Sequence, residues 1–290
     1  MQAAVVVLTF DAAPGMLEAT VDSVVGASPS DVDLIVVDNG KSARSRLSRA
    51  GTLDRIQLLE SVQNGGYGPG MNLGIGAALE AGADVVILLN DDVVVADGWV
   101  EPLLDEFRKD DNVGAVQPLL TQYGSDTVNS AGVIIDDAGS GSDRLRGTPV
   151  SEVDHHVVEV EAFTGGAVAI RREFVADVGT FDERFFLYYE DVELARRGRR
   201  SSSGWVYLLV PASRVAHHGS ATASALGDEM RRLQERNRLW SSAMNGSGAE
   251  IARGLWLSIR RLRHAPQRVH MRALITGLGG MPIRLLQRCR

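Results

Sequence analysis

Apolar and polar positions divide the chain into two regimes. Up to about residue 110, apolar runs of strand length alternate with segments of helical period. Residues 3–10 (AAVVVLTF), 33–39 (DLIVVDN) and 84–90 (DVVILLN) are apolar runs that end in polar residues. Such runs belong to strands covered on both faces, hence to a parallel sheet. Between the first two, Pro14 to about Gly26 repeats Met16, Leu17, Thr20, Val21 and Val24 at helical spacing. Residues 55–59 read as a short strand, and 69–82 and 98–109 as helices, with Pro102 in the first turn of the latter. This alternation predicts a doubly wound, mostly parallel, Rossmann-like α/β sheet.

Past residue 112 the pattern changes. Runs 113–120, 128–136, 163–170 and 205–210 read as shorter strands, and 190–200 and 226–246 as helices. They predict a smaller mixed sheet. Segment 138–154 (AGSGSDRLRGTPVSEVD) reads as a mobile, functional loop. The expected division is 1–112, 113–225 and a basic helical extension, 226–290.

Charge sharpens that last boundary. Residues 251–290 hold nine arginines and no acid, so a net charge of −7 conceals −16 on the first 250 residues. An acidic body argues against nucleic acid as a partner. The basic tail, with its Trp, Leu and Ile, fits an anionic membrane surface. Its alternative is a helix pair packed on the domain or on a second subunit. No apolar run reaches the roughly 18 residues of a membrane span, and the first apolar run reads as a strand rather than a signal peptide. One cysteine, Cys289, excludes a disulfide framework and a cysteine zinc site. The expected location is cytoplasmic, peripheral at the inner face of the plasma membrane.

The candidate chemistry lies where strands end. Thr9-Phe10-Asp11, Asp38-Asn39-Gly40 and Asn90-Asp91-Asp92 meet at one sheet edge if their strands are parallel, the edge at which open α/β sheets bind ligands. Asp91 and Asp92 suit Mg²⁺ or Mn²⁺ carrying a diphosphate. Asp38 has the chemistry to accept from a ribose or base, and main chain at 9–11 to read a base edge. Each alone also serves as a turn or helix cap. The Gly-rich NGGYGPGMN (64–72) fails the G-x-G-x-x-G fingerprint, which argues against an NAD enzyme. It reads as a loop near a nucleotide, with Asn64 and Asn72 as polar contacts, or as a tight turn. In GTFDERFFLYYED (179–191), an aromatic pocket around Glu190-Asp191 would raise the Asp191 pKa as a general base requires. Capping of a helix N-terminus is the alternative. One of His217 and His218, if not merely structural, has the imidazole to complete a carboxylate–diphosphate metal shell.

Taken in order, VVVLTFDAAP, LIVVDNG, QNGGYGPGMNLGI, VILLNDDV, FTGGAVAIRREFVADVGTFDERFFLYYEDVELARR, VAHHGSATAS and RNRLW resemble the family-2 inverting glycosyltransferases of the A-type fold. Bacterial rhamnosyl- and galactosyltransferase-like members are the nearest in pattern, and the resemblance spans about residues 3–240. It implies that Asp92 is the metal-binding acid of a D-x-D equivalent, with Asp91 beside it. Thr9, Phe10, Asp11 and Asp38 become nucleotide contacts, Asp191 the catalytic base with Glu190 next to it, and His217 a metal or diphosphate contact. Gly165-Gly166 match a turn beneath the acceptor. The implied cofactor is Mn²⁺ or Mg²⁺, the donor a UDP-, dTDP- or GDP-linked sugar, and the acceptor a bacterial cell-envelope glycan or glycolipid. Two positions depart from the family pattern: Phe10-Asp11 replaces the commoner Tyr-Asn, and Asn90 fills the first D-x-D position. A nucleotidyltransferase is the weaker rival, since residues 9–16 lack the Lys or Arg that would hold a triphosphate. A decayed transferase acting as a scaffold is the non-enzymatic one.

Overall fold

Strands follow the apolar runs. In the computed structural model, which describes residues 1–219 and 221–287, β1 (Ala3–Thr9), β2 (Asp33–Asp38), β3 (Gln57–Glu60) and β4 (Val85–Asn90) lie in the order β3-β2-β1-β4. All are parallel. Ser220, Arg288, Cys289 and Arg290 lie outside the described residues. The crossovers carry α1 (Met16–Ala27), α2 (Ala43–Ala50) and α3 (Tyr67–Glu80). Ala4, Val6 and Leu8 of β1 face Met71, Ile75 and Ala78 of α3. Ala3, Val5 and Val7 face Leu17, Val21 and Val24 of α1 on the other side. With both faces covered, β1 has no polar alternation to show. Helix α2 escapes sequence reading because only Ala43 and Leu47 of its eight residues are buried.

The second half continues the same sheet. After β5 (Val93–Val95) and α4 (Val100–Lys109) come β6 (Val113–Gln122), β7 (Val128–Ser130), β8 (Val133–Ile135), β9 (Gly141–Asp143), β10 (Val158–Glu159) and β11 (Ala167–Arg171). Helices α5 (Arg172–Val178) and α6 (Glu190–Arg200) precede β12 (Val206–His217). Strand β11 inserts antiparallel between β4 and β6, and β12 runs parallel to β6. The full order is β10-β12-β6-β11-β4-β1-β2-β3, with β5 paired to β12 and β7 to β6. The expected smaller mixed sheet is thus the mixed end of this sheet plus the two-stranded β8–β9 ribbon.

Three local differences have physical causes. Run 128–136 breaks into β7 and β8 at Gly132, whose φ is +101 and whose absent Cβ makes room for Val160. Run 205–210 extends to His217 because β12 resumes beyond an irregularity between Val210 and Arg214, around Pro211, which has no N–H to give the ladder. Segment 138–154 is not a free loop. Its main chain is pinned by Arg144 N–H to the Gly132 carbonyl at 2.8 Å and by Gly141 N–H to the Tyr189 hydroxyl at 3.0 Å.

The C-terminal helices α7 (Ala221–Asn245), α8 (Gly248–Arg261) and α9 (Gln267–Gln287) pack together. Trp240 of α7 lies between the guanidinium groups of Arg236 and Arg284, each 4.3 Å from its ring. The tail is therefore partly core: Val269, Ala273, Leu274 and Met281 are buried with Arg284. Its outer face keeps Trp256, Ile259, Ile275, Ile283 and Leu286 more than half exposed. No helix among the described residues is long and apolar enough to cross a membrane.

Candidate active site

Strand direction decides where the polar ends meet. β1, β2, β4, β6 and β12 finish at one edge, and antiparallel β11 starts there. A cleft of about 640 Å³ opens along it. Phe10, Asn64, Asp91, Asp92, Gly165, Gly166, Glu190, Asp191 and His217 all line this cleft.

Asp91 and Asp92 occupy the turn between β4 and β5. The buried Thr20 hydroxyl of α1 braces that turn, donating to the Val93 carbonyl at 2.7 Å and accepting from its N–H at 3.2 Å. Asp91 accepts from the Phe10 N–H at 3.3 Å. Burial pushes its carboxyl up to about 6, with the Asp92 charge adding to the rise and the Thr9 hydroxyl opposing it. Pairing of β5 with the end of β12 brings Asp92 opposite His217.

A relay of amides orients His217. The His218 carbonyl accepts from Gln122 Nε2 at 3.1 Å, so Gln122 Oε1 accepts from Asn129 Nδ2 at 3.2 Å. Asn129 Oδ1 then faces His217 Nδ1 at 3.0 Å, which puts the imidazole hydrogen on Nδ1. Nε2 is left facing Asp92 Oδ1 at 3.1 Å, and both atoms are buried with no hydrogen bond among the described residues. Two acceptors at that distance call for a second proton on the imidazole or a shared cation. An oxygen and an imidazole nitrogen, both desolvated, fit a divalent transition cation such as Mn²⁺.

Glu190 and Asp191 begin α6 across the cleft. Asp191 accepts from the Gly165 N–H at 2.8 Å and the Val192 N–H at 2.7 Å. Burial raises its pKa, and these two donors hold the rise back. Glu190 is 5% exposed with Oε2 unpartnered, and burial plus the Asp191 charge push it well above the ordinary range. A proton shared by the pair therefore belongs on Glu190, leaving Asp191 the ionised member. Tyr67 donates to the Gly165 carbonyl, and its burial keeps that phenol protonated.

The approach to the pair is strained. Phe186, Tyr188 and Tyr189 have φ of 66, 69 and 71, a left-handed conformation that costs bulky residues about 1–3 kcal/mol each. Asn237 of α7 holds the segment, its side-chain amide reaching the carbonyls of Phe185, Leu187 and Tyr188 at 2.8–2.9 Å. Gly66, with φ of +97, allows the Phe186 carbonyl to lie where a Cβ would stand, only 2.0 Å away. The Gly-rich loop thus docks this segment as well as lining the cleft.

Four candidates do not line the cleft. Thr9 is buried, and exposed Asp11 lies against Gly40. Asp38 is 1% exposed and caps the entry to α2, accepting from the N–H groups of Gly40, Lys41 and Ala43 at 2.7 Å each. Asn72 locks the Phe181 main chain, donating to its carbonyl and accepting from its N–H at 3.0 Å. Asn39, Tyr67, Asn129 and Asn237 have no role of their own in the sequence reading, although Asn39 stands in the polar end of the second strand. Asn39 lines the cleft, donating to the Gly66 carbonyl at 2.9 Å. Of these four, Asn39, Tyr67 and Asn237 carry a signal, standing in the DNG, NGGYGPGMN and RNRLW patterns, and Asn129 carries none.

Comparison with known proteins bears on the family and the fold. Residues 4–175 match the model of glycosyl transferase family 2, a span that ends before Asp191 and His217. An N-acetylglucosaminyl-diphospho-decaprenol L-rhamnosyltransferase of Mycobacterium tuberculosis is 27% identical over 233 residues, covering 74% of this chain and 75% of that protein. The low-salt glycan biosynthesis hexosyltransferase Agl10 of Haloferax volcanii is 27% identical over 59% of this chain and 54% of its own. GalNAc-T7, solved with UDP, GalNAc and Mn²⁺, superposes with a TM-score of 0.68 at 17% identity, over 97% of this chain and 56% of its own. The mannosyltransferase PcManGT of Pyrobaculum calidifontis, solved with GDP-Man and Mn²⁺, gives 0.58 at 14% identity, over 98% and 87%. These two likenesses place the fold among the A-type glycosyltransferases.

Proposed function

The chain belongs to glycosyl transferase family 2, and from that membership we propose an inverting, metal-dependent transfer from a nucleoside-diphosphate sugar to an acceptor hydroxyl. The observation that carries the metal is the facing pair of unpartnered acceptors, Asp92 Oδ1 and His217 Nε2, 3.1 Å apart at the sheet edge. Mn²⁺ or Mg²⁺ held there supplies Lewis-acid neutralisation of the departing diphosphate. The Mn²⁺ and nucleotides in the two solved relatives support this assignment.

The chain's own residues do the remaining work. Asp191, ionised and held by Gly165 and Val192, takes the proton of the acceptor hydroxyl. The freed oxygen bonds the anomeric carbon from the face opposite the diphosphate, and the bond from that carbon to the diphosphate oxygen breaks. Configuration inverts, with no covalent enzyme intermediate. Protonated Glu190 keeps a second negative charge away from Asp191. Phe10 and Asn64 flank the nucleotide side of the cleft, and Gly165 and Gly166 the acceptor side.

The acceptor reading is a lipid-linked saccharide, by likeness to the decaprenol-specific relative. The apolar outer face of α8 and α9, flanked by Arg253, Arg260, Arg268 and Arg272, fits peripheral attachment to an anionic membrane. Serine at both Ile275 and Leu286 should weaken partitioning onto anionic vesicles, and unchanged partitioning refutes that attachment.

Calorimetric titration with UDP, dTDP and GDP, with and without Mn²⁺, tests the core of the proposal. Mn²⁺-dependent binding of one nucleotide, lost in Asp92→Ala, is expected and names the donor class. Binding of none by the wild type overturns it.

A further inference from the structure

A second cavity of about 340 Å³ lies behind the first, between α7, the β8–β9 ribbon and the tail helices. Tyr189 and Gln234 line both cavities, so the two are neighbours across the residue that precedes Glu190-Asp191. Three guanidinium groups line it, those of Arg231, Arg238 and Arg261.

Two of these cations are partly open to solvent and the third is buried. Among the described residues Arg231 and Arg261 donate no hydrogen bond; their carboxylate neighbours, Asp228 and Glu235, are 3.9 and 4.0 Å away. Arg238 is 1% exposed and fixed by the Ala138 carbonyl, the Gly254 carbonyl and Ser258 Oγ, yet its Nε is buried with no partner. Burial holds its pKa below the ordinary value, and the Arg261 charge adds to the depression. Among the described residues, Glu235 is the one acid lining the cavity. One of its oxygens is 2.6 Å from His270 Nδ1 and the other has no hydrogen bond. One buried, anchored guanidinium and two that donate no hydrogen bond, set against one committed acid, make a cavity that favours an anion with several oxygens.

We infer that this cavity binds the diphosphate group of a lipid-linked acceptor, so that the first sugar reaches Asp191 past Tyr189 and Gln234. The inference rests on the transferase reading and names the acceptor's anchoring group. The exposed apolar face of α8 and α9 begins beside the same cavity, since Arg261 ends α8 and His270 lies in the first turn of α9. A prenyl chain leaving the diphosphate would have that face to lie on.

Farnesyl diphosphate and inorganic pyrophosphate, titrated in EDTA against the full chain, test the inference. Wild type should bind farnesyl diphosphate without metal, about tenfold or more tighter than pyrophosphate. The double variant Arg231→Ala, Arg261→Ala should lose about tenfold or more, the scale of a lost charge-assisted contact. Neither residue holds the fold by a hydrogen bond, so the variant should fold. Asp92→Ala should bind farnesyl diphosphate as wild type does. No binding, or equal binding by the double variant, overturns the site. Equal affinity for the two ligands reassigns it to a free diphosphate and overturns the lipid anchor. Titration of the wild type with nucleotide and Mn²⁺ separates the failures: nucleotide binding without farnesyl diphosphate binding sinks the anchor site alone, and loss of nucleotide binding sinks the transferase reading.

Discussion

The two acidic stations of the cleft are built in different ways. Asp91 and Asp92 stand where a parallel strand ends, so backbone topology delivers them, and a single buried threonine braces the turn. Glu190 and Asp191 follow a segment with three left-handed aromatic residues, kept in place by Asn237 from 49 to 52 positions further along the chain. One station follows from the regular alternation of strand and helix. The other needs a distant polar clamp, and its geometry fails if the clamp is lost.

Asp191→Asn isolates the chemistry of the second station. Turnover should fall about 10²-fold or more, the usual scale for a lost general base, while nucleotide binding in Mn²⁺ stays at the wild-type level. Full turnover would remove Asp191 from the mechanism. At the first station, Asn129→Ala frees the His217 ring without touching Asp92. Mn²⁺ affinity should drop about 10–100-fold, as it does when the partner of a ligating histidine is removed. Unaltered affinity would break the amide relay.

Asn237→Ala tests the clamp itself. Orphaning buried carbonyls costs about 1–3 kcal/mol, so Tm should fall and kcat with it, while Mn²⁺ affinity at the first station holds. Equal losses at both stations would mean that they are not separately built. The smallest effect concerns pH. Both Glu190 and Asp191 lie above their unfolded values, so the stability they contribute is present at low pH and is lost as pH rises through the raised values. From about the ordinary glutamate value of 4.5 upward, wild type should lose stability that Glu190→Gln retains. The variant should melt higher at neutral pH, by about 2–4 °C for each kcal/mol relieved, and the gap should close toward pH 4. A constant gap would place the proton elsewhere.

Legibility in the sequence follows the same division. Strands β1, β2 and β4 and helices α1 and α3 were readable because two-sided burial leaves apolar runs and one-sided burial leaves a helical period. Strand β12 was readable only to Val210, since an irregularity around Pro211 hides the stretch that carries His217 to the edge. Asp92, Asp191 and His217 were picked out by motif, and the fold brings all three to one cleft. Asp38 and Asn72 share the residue chemistry of nucleotide contacts, but in this fold they cap α2 and lock Phe181.

What the sequence determined alone was the alternation of buried and polar positions, and with it the parallel half of the sheet and the acids at its strand ends. Those features depend on periods of a few residues, which local side-chain chemistry encodes. Tertiary structure alone decided which polar groups remain without partners: Asp92 facing His217, Glu190 beside a clamped Asp191, and the arginines of the second cavity. The groups that face Asp92, Asp191 and Arg261 come from tens of positions or more away in the chain, and only the packed chain shows whether each donor or acceptor has been met.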